Sequence, residues 1–416
     1  MKLSIKSRYF LAFTVLLALL LGSGVDLGFS QARRQPPAPN QKKNKRPAET
    51  GQEGQKPEEP LPPDLSGKPQ EAEKLTISTQ IVNVDAVVYH KKSGQIVTGL
   101  KKENFSIFAD DKQQQITNFS TPEAPITVVM VVEYSKWSEI FGYYGGGGGF
   151  EPGTYEVIRP VAMFLSRFIK PPDDYVSVVA FDIRPTPLTD FTNDPGRINQ
   201  VIRLLLNNYP AFRENNLFDA LKFVLVGGRG DSVVLEDSKS ERSDYSGLVS
   251  VQGRRRAVIL VASGIDTFSK INYGDARKVL QNAGIPVYII GTGNLFFKKW
   301  GDFLGATDSL SGAPGRMTFL QADNTLKTFA KETGGAYYPV TFEGELPKVL
   351  SSINSLLRSQ YSLAFNPGDV RDGKQHKIRV SVDVNGDGVA DDKEYVIQAR
   401  QFYISPKPDG TANGKS

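Results

Sequence analysis

Pro-Ile-Thr-Val-Val-Met-Val-Val-Glu-Tyr-Ser-Lys-Trp-Ser (125–138) and Arg-Arg-Ala-Val-Ile-Leu-Val-Ala-Ser-Gly-Ile-Asp-Thr (255–267) are the two stretches on which the fold turns. In each, an unbroken apolar run ends at small or polar residues. A strand with one wet face alternates apolar and polar side chains. An unbroken run therefore marks a strand buried on both faces, as in a parallel sheet covered by helices. Between the two stretches lie helical spacing over 157–169, a buried run over 175–181, and helices over 198–206 and 218–225. Beyond the second come a helix (273–283), a strand (286–291), a helix (326–333), a short strand (336–340) and a helix (346–357). Repeated strand–helix units predict an α/β domain over 123–358 with a doubly wound parallel sheet. Its ligand-binding edge is expected at the carboxyl ends of the strands.

On both sides of this domain the period falls to two. Residues 81–88, 96–100, 105–109 and 115–119 read as strands before it, and 361–365, 377–383 and 395–403 as strands after it. Neither piece can bury a core alone. The expectation is that 75–122 and 359–405 together close one β-sandwich, with the α/β domain inserted between them.

The 416 residues, 39% of them hydrophobic, leave room for two or three domains. Fifty basic residues against 45 acidic ones leave a net charge of +5, too balanced for a nucleic-acid partner to be expected. The absence of cysteine excludes disulfides, thiolate metal sites and a cysteine nucleophile. The only histidines, His90 and His376, fall on β segments away from the binding edge of the α/β domain. That rules out a Ser-His-Asp triad or a histidine metal centre there. Glu133, Asp182, Asp219 and Asp266 keep a carboxylate-based hydrolase formally open. No spacing singles out a pair of them, and the chain is expected not to be an enzyme.

The N-terminus points to export. Lys2, Lys6 and Arg8 precede an apolar run over 10–21, and Ser30-Gln31-Ala32 is a cleavage site of the small-residue kind. Residues 1–32 thus read as a signal peptide, and the mature chain as periplasmic or secreted. The alternative is an uncleaved anchor extended through Gly22 to Val25, which would tether the chain to the membrane at that end alone. Residues 33–74 are rich in Pro, Gln, Lys and Glu and read as a disordered linker; 406–416 reads as a disordered tail.

Several motifs resemble one family. Besides the two opening stretches they are Asn215-Asn216-Leu217-Phe218-Asp219, Lys331-Glu332-Thr333-Gly334-Gly335-Ala336-Tyr337-Tyr338, Leu357-Arg358-Ser359-Gln360-Tyr361 and the leader Val97-Thr98-Gly99-Leu100 through Phe105. Their order and spacing resemble the bacterial VWFA-related family of exported proteins. In that family an Ig-like β segment precedes a von Willebrand factor type A (VWA) domain. The resemblance implies a metal-dependent adhesion site in which an Asp, two Ser, a Thr and a second Asp hold Mg²⁺ or Mn²⁺ through hard oxygens. It places those ligands at Glu133, Ser135, Trp137, Asn215 and Ser263. Only Ser135 is the family's own residue, so the adhesion site is expected to be degenerate, with no magnesium bound.

Two other features bear on binding. The loop after Glu133 carries Tyr134, Trp137, Phe141, Tyr143, Tyr144 and Phe150 around the glycine run 145–149, and aromatics on a solvent-facing loop suit partner binding. Residues 383–394 place Asp383, Asn385, Asp387, Val389, Asp391 and Glu394 at the spacing of a twelve-residue calcium loop, Val389 through its carbonyl. Residues 227–253, which include Arg229-Gly230-Asp231, read as an exposed insertion loop. The expected function is an exported adhesion-type module for a protein or envelope-polymer partner. The alternative is a structural envelope protein.

Overall fold

The computed structural model describes residues 81–407 apart from 123, 136–142, 145–149, 152–153, 208–211, 213, 232–241, 252–254 and 310–313. The expected leader and linker, and the tail from 408, lie outside the described residues. Among the described residues no helix is long and apolar enough to cross a membrane.

In chain order the first strands are β1 (Val82–His90), β2 (Phe105–Ala109), β3 (Lys112–Gln114) and β4 (Ile116–Ser120). The α/β unit opens with β5 (Ile126–Glu133), the two-residue strands β6 (Tyr143–Tyr144) and β7 (Phe150–Glu151), and helix α1 (Thr154–Arg167). There follow β8 (Tyr175–Phe181), β9 (Pro185–Thr192), α2 (Pro195–Asn207), α3 (Leu217–Val226), β10 (Gly228–Asp231), β11 (Arg242–Tyr245) and β12 (Arg255–Ala262). It closes with α4 (Tyr273–Ala283), β13 (Val287–Gly291), α5 (Gly293–Trp300), α6 (Arg316–Thr333), β14 (Tyr337–Pro339) and α7 (Leu346–Arg358). The last strands are β15 (Tyr361–Phe365), β16 (Gln375–Val382), β17 (Tyr395–Ala399) and β18 (Phe402–Ile404).

The central sheet has the order β14-β13-β12-β5-β8-β9. Every residue of β5 is buried, as its unbroken apolar run requires. Ile126, Val128, Met130 and Val132 pack on one face with Val161, Phe164 and Ile353. Val129 and Val131 pack on the other with Leu221, Leu280 and Phe329. The sheet is mixed rather than wholly parallel, because β9 runs antiparallel to β8 at the edge. Only residues 182–184 separate the two strands, and so short a loop can return the chain only antiparallel. Pro185 and Pro187 hid this strand from the sequence reading; an edge tolerates the missing N–H groups.

β1, β15, β4 and β17 form one four-stranded antiparallel sheet, and β2, β3, β16 and β18 another. Both sheets feed one core, where Phe105 meets Tyr361 at 5.1 Å between ring centroids. Residues from before and after the α/β unit thus share a single interior. Two expected strands differ. Over 96–100 only an isolated bridge forms, Tyr89 to Ile96. That segment is held instead by the Tyr361 hydroxyl, which accepts from Leu100 N (3.1 Å) and donates to Val97 O (3.2 Å). The run 395–403 breaks into β17 and β18, which lie in different sheets. At the break, the Arg400 side chain turns inward.

Arg400 fastens the sandwich to the α/β unit. It is buried and donates to Gln281 O (2.6 Å), Phe402 O (2.9 Å) and Asn83 O (3.3 Å). Burial draws its guanidinium down to about 10, against the pull of Asp85. Beside it Gly334 ends α6 at φ +82°, and a Cβ there would lie 2.5 Å from Arg400 N. The motif around Gly334 therefore serves close approach between the two units. Arg255 is buried at the start of β12 and donates to the carbonyls of Pro122, Ala124 (2.6 Å) and Leu357 (2.9 Å). In the polar segment after α3, β10 and β11 pair, and Tyr245 is buried against Phe223 with its hydroxyl 2.9 Å from Ser177 Oγ.

Candidate functional site: the carboxyl edge of the sheet

Glu133 is the last residue of β5, Ser135 follows it, Ser263 follows β12, and Asn215 precedes α3. Crossing from strand to loop at the same edge brings the four together, none more than 3% exposed. Glu133 Oε1 accepts from Ser135 Oγ (2.9 Å) and Asn215 Nδ2 (3.1 Å). Oε2 accepts from Ser263 N (2.6 Å) and Ser263 Oγ (2.7 Å). Burial pushes the Glu133 carboxyl above the usual carboxylate range, against the opposing pull of these hydrogen bonds.

A carboxylate offers about four acceptor directions, and all four here are occupied by protein donors. The extra methylene carries the Glu133 carboxylate across to β12, where Ser263 offers two donors. Asn215 and Ser263, at positions where the family resemblance implies metal ligands, act as donors to Glu133. Asn215 Oδ1 is buried without a hydrogen-bond partner among the described residues. The Asn215 backbone is locked to the neighbouring loop: its N–H donates to Thr267 Oγ1 (2.8 Å), and its carbonyl accepts from Thr267 N and Phe268 N.

Three further carboxylates lie near this edge, each engaged by backbone N–H groups. Asp182 accepts from Arg184 N, Asp219 from Lys270 N and Ile271 N, and Asp266 from Phe218 N and Ser269 Oγ. Burial raises Asp182 and Asp266, the latter with help from the negative charge of Asp219. A small cavity of about 70 Å³ beside Ser263 is lined in part by Asn294, Phe297 and Asp323. Asp323 accepts there from the Tyr337 hydroxyl and from Asn294 Nδ2 (2.9 Å). Sequence spacing held no signal for this cluster, because its members come from α5, α6 and β14.

Of the expected aromatic surface, Trp137 and Phe141 lie outside the described residues. Tyr134 is half-buried against the core, its hydroxyl donating to Leu205 O (3.0 Å). Tyr143 and Tyr144 pair with Glu151 and Phe150 in an antiparallel ladder that brackets the glycine run.

The 383–394 loop is folded on its own side chains. Asp383 accepts from Gly386 N and Gly388 N (both 2.7 Å), and Asn385 Oδ1 from Asp387 N (2.9 Å). Asp387 Oδ1 accepts from Val389 N (2.8 Å), and Asp391 Oδ2 from Val384 N (2.8 Å). Gly388 takes φ +86°, open to glycine at little cost. Among the described residues no three His, Cys, Asp or Glu side chains are grouped closely enough to hold a metal ion.

Parallel strands β14, β13, β12, β5 and β8, an antiparallel edge strand β9, and Glu133 at the end of β5 with Ser135 two residues on fit the VWA-like fold that the sequence motifs imply. No protein-family profile matches the chain, and no curated protein matches it. Among solved structures, a von Willebrand factor type A protein from Catenulispora acidiphila is 7% identical, with a TM-score of 0.37 over 80% of this chain and 76% of that one. The PilB minor pilin of Streptococcus sanguinis is 14% identical, with a TM-score of 0.37; the match covers 59% of this chain and only 63% of the pilin. An aerotolerance-related membrane protein from Bacteroides fragilis is 13% identical, with a TM-score of 0.35 over 56% of this chain and 98% of its own length.

Proposed function

We propose that the protein is an exported, non-catalytic binding module, periplasmic or secreted. Its VWA-like unit meets a protein or envelope-polymer partner by contact surface, without a bridging metal. The observation that carries this reading is the four-donor cage around Glu133. A carboxylate that fills its acceptor directions inside the fold has none left for Mg²⁺ or Mn²⁺. The contact surface is assigned to the edge around β6 and β7, with Trp137 as its anchor. The flanking sandwich is read as Ig-like, a frame that presents this edge. Calcium is assigned to Asp383, Asn385, Asp387, Val389 O, Asp391 and Glu394, with Glu394 at the last position of the ligand spacing. Support for this comes from ligand spacing and from the glycine turns that already wrap the loop.

Capture from envelope extract, comparing the parent chain with Trp137→Ala, tests the surface reading. A bound component that is lost in Trp137→Ala supports it. Equal capture by both chains, or no component retained by either, overturns it. Calcium is tested by thermal unfolding: the parent should gain stability in millimolar calcium, and the double variant Asp383→Ala, Glu394→Ala should not. A parent chain indifferent to calcium removes that assignment.

A further inference from the structure

At the opposite end of the α/β unit, where β12 begins, the outer face of β1, β15 and β4 helps to enclose a cleft of about 630 Å³. That volume is within the range of small-ligand sites, roughly 300–1,000 Å³. Its wall is polar: Asn83 and Asp85 from β1, Asn118 and Ser120 from β4, Ser362 from β15 and Arg256 from β12. Asp85 Oδ1 accepts from Ser362 Oγ (2.5 Å), and Oδ2 has no hydrogen-bond partner among the described residues. Arg256 commits Nη1 to Val249 O (3.1 Å) and Val251 O (3.2 Å), leaving Nε and Nη2 without a hydrogen-bond partner among the described residues. Burial raises the Asp85 carboxyl against the pull of Ser362, Arg256, Arg255 and Arg400 and lowers the Arg256 guanidinium against the pull of Asp85, yet no ion pair joins Asp85 to Arg256.

A half-buried carboxyl and a half-buried guanidinium that line one cleft unpaired are incomplete as structure, since charges drawn out of water normally close on each other. They are complete as a receptor for a ligand with both signs. We propose that this cleft binds a short peptide with free termini, its carboxylate on Arg256 and its ammonium on Asp85. Asn83, Asn118 and Ser120 offer donors and acceptors to the peptide groups between. Among the described residues β4 is an edge strand, paired on one side by β15, so its other side offers main-chain groups to an added strand. The site is separate from the Glu133 corner and does not depend on the reading of that corner.

Titration calorimetry of the full chain with trialanine at neutral pH tests this. Trialanine should bind saturably, and N-acetyl-trialanine amide, with both termini blocked, should bind at least about tenfold more weakly. Arg256→Gln and Asp85→Asn should each lose about tenfold. Unfolding curves of both variants establish that they fold; should Asp85→Asn fail to, Arg256→Gln and the blocked peptide carry the test. The proposal is overturned by the absence of saturable heat, by equal affinity for the blocked peptide, or by undiminished binding to Arg256→Gln. Maltotriose binding as tightly as trialanine would also sink it, as a neutral sugar has neither charge.

Discussion

At the scale of single residues, the sequence places Glu133, Ser135, Asn215 and Ser263 at corresponding loop positions, but it does not reveal their hydrogen-bond roles. A hydroxyl or amide can be ligand, donor or acceptor, and the three-dimensional arrangement decides which. Here Ser263 and Asn215 are donors, and Glu133 is what they donate to. Glu133→Ala should therefore destabilise the chain by about 3 kcal/mol, since it strands several buried donors at once. Denaturant unfolding measures this; a loss under about 1 kcal/mol would mean that the cage contributes little. Tyr134 shows the converse limit. Its place among other aromatics predicts a contact residue, and the sequence holds no signal for the hydrogen bond its hydroxyl donates to Leu205 O on the neighbouring helix.

At the scale of elements, strongly patterned strands were legible and irregular ones were not. β5 and β8 are nearly continuous apolar runs, and β15 follows the period of two. β9 carries two prolines and three threonines, and its existence depends on β8 being its neighbour. The split between β17 and β18 depends on Arg400 finding carbonyls inside the seam. β16 illustrates an element held by titratable groups. His376 lies between Asp110 (2.7 Å) and Asp372 (3.0 Å), stacked on Tyr403. Burial alone would lower the imidazole, but hydrogen bonds and charge from the two carboxylates outweigh it and raise its pKa. Asp110 and Asp372 are both lowered, chiefly by hydrogen bonds: to His376 for Asp110, and to Ser405 and Lys374 N for Asp372.

The sign of the pH dependence follows. The contribution of His376 is fully present below its unfolded value of about 6.5 and is lost as pH rises through the raised folded value. The contributions of the aspartates are present above about 3.9 and are lost as pH falls through their depressed values. The clamp should stabilise most between these limits. In His376→Gln, the fall in stability on passing from about pH 6 to about pH 8.5 should shrink. An unchanged slope would show that the clamp is silent.

At the scale of the whole molecule, the inserted arrangement places partners far apart in sequence. Gly334 serves a contact with Ala399 and Arg400, which lie far downstream in the chain. Such a role has no local signature. The seam predicts that residues 81–407 unfold as one body, with calorimetric and van't Hoff enthalpies in agreement. Arg400→Ala leaves the carbonyls of Asn83, Gln281 and Phe402 without their donor. It should cost about 3 kcal/mol and separate the melt of the sandwich from that of the α/β unit. A single unshifted transition in that variant would deny the seam its structural weight.

The polar corner at Glu133 is closed by its own side chains. Thermal unfolding of the full chain carrying Asp383→Ala and Glu394→Ala, with and without millimolar Mn²⁺, tests this, since the proposed calcium loop is then removed. No change in Tm is expected. A saturable rise that disappears when Glu133→Ala is added would contradict it, because Glu133 would then be a metal ligand.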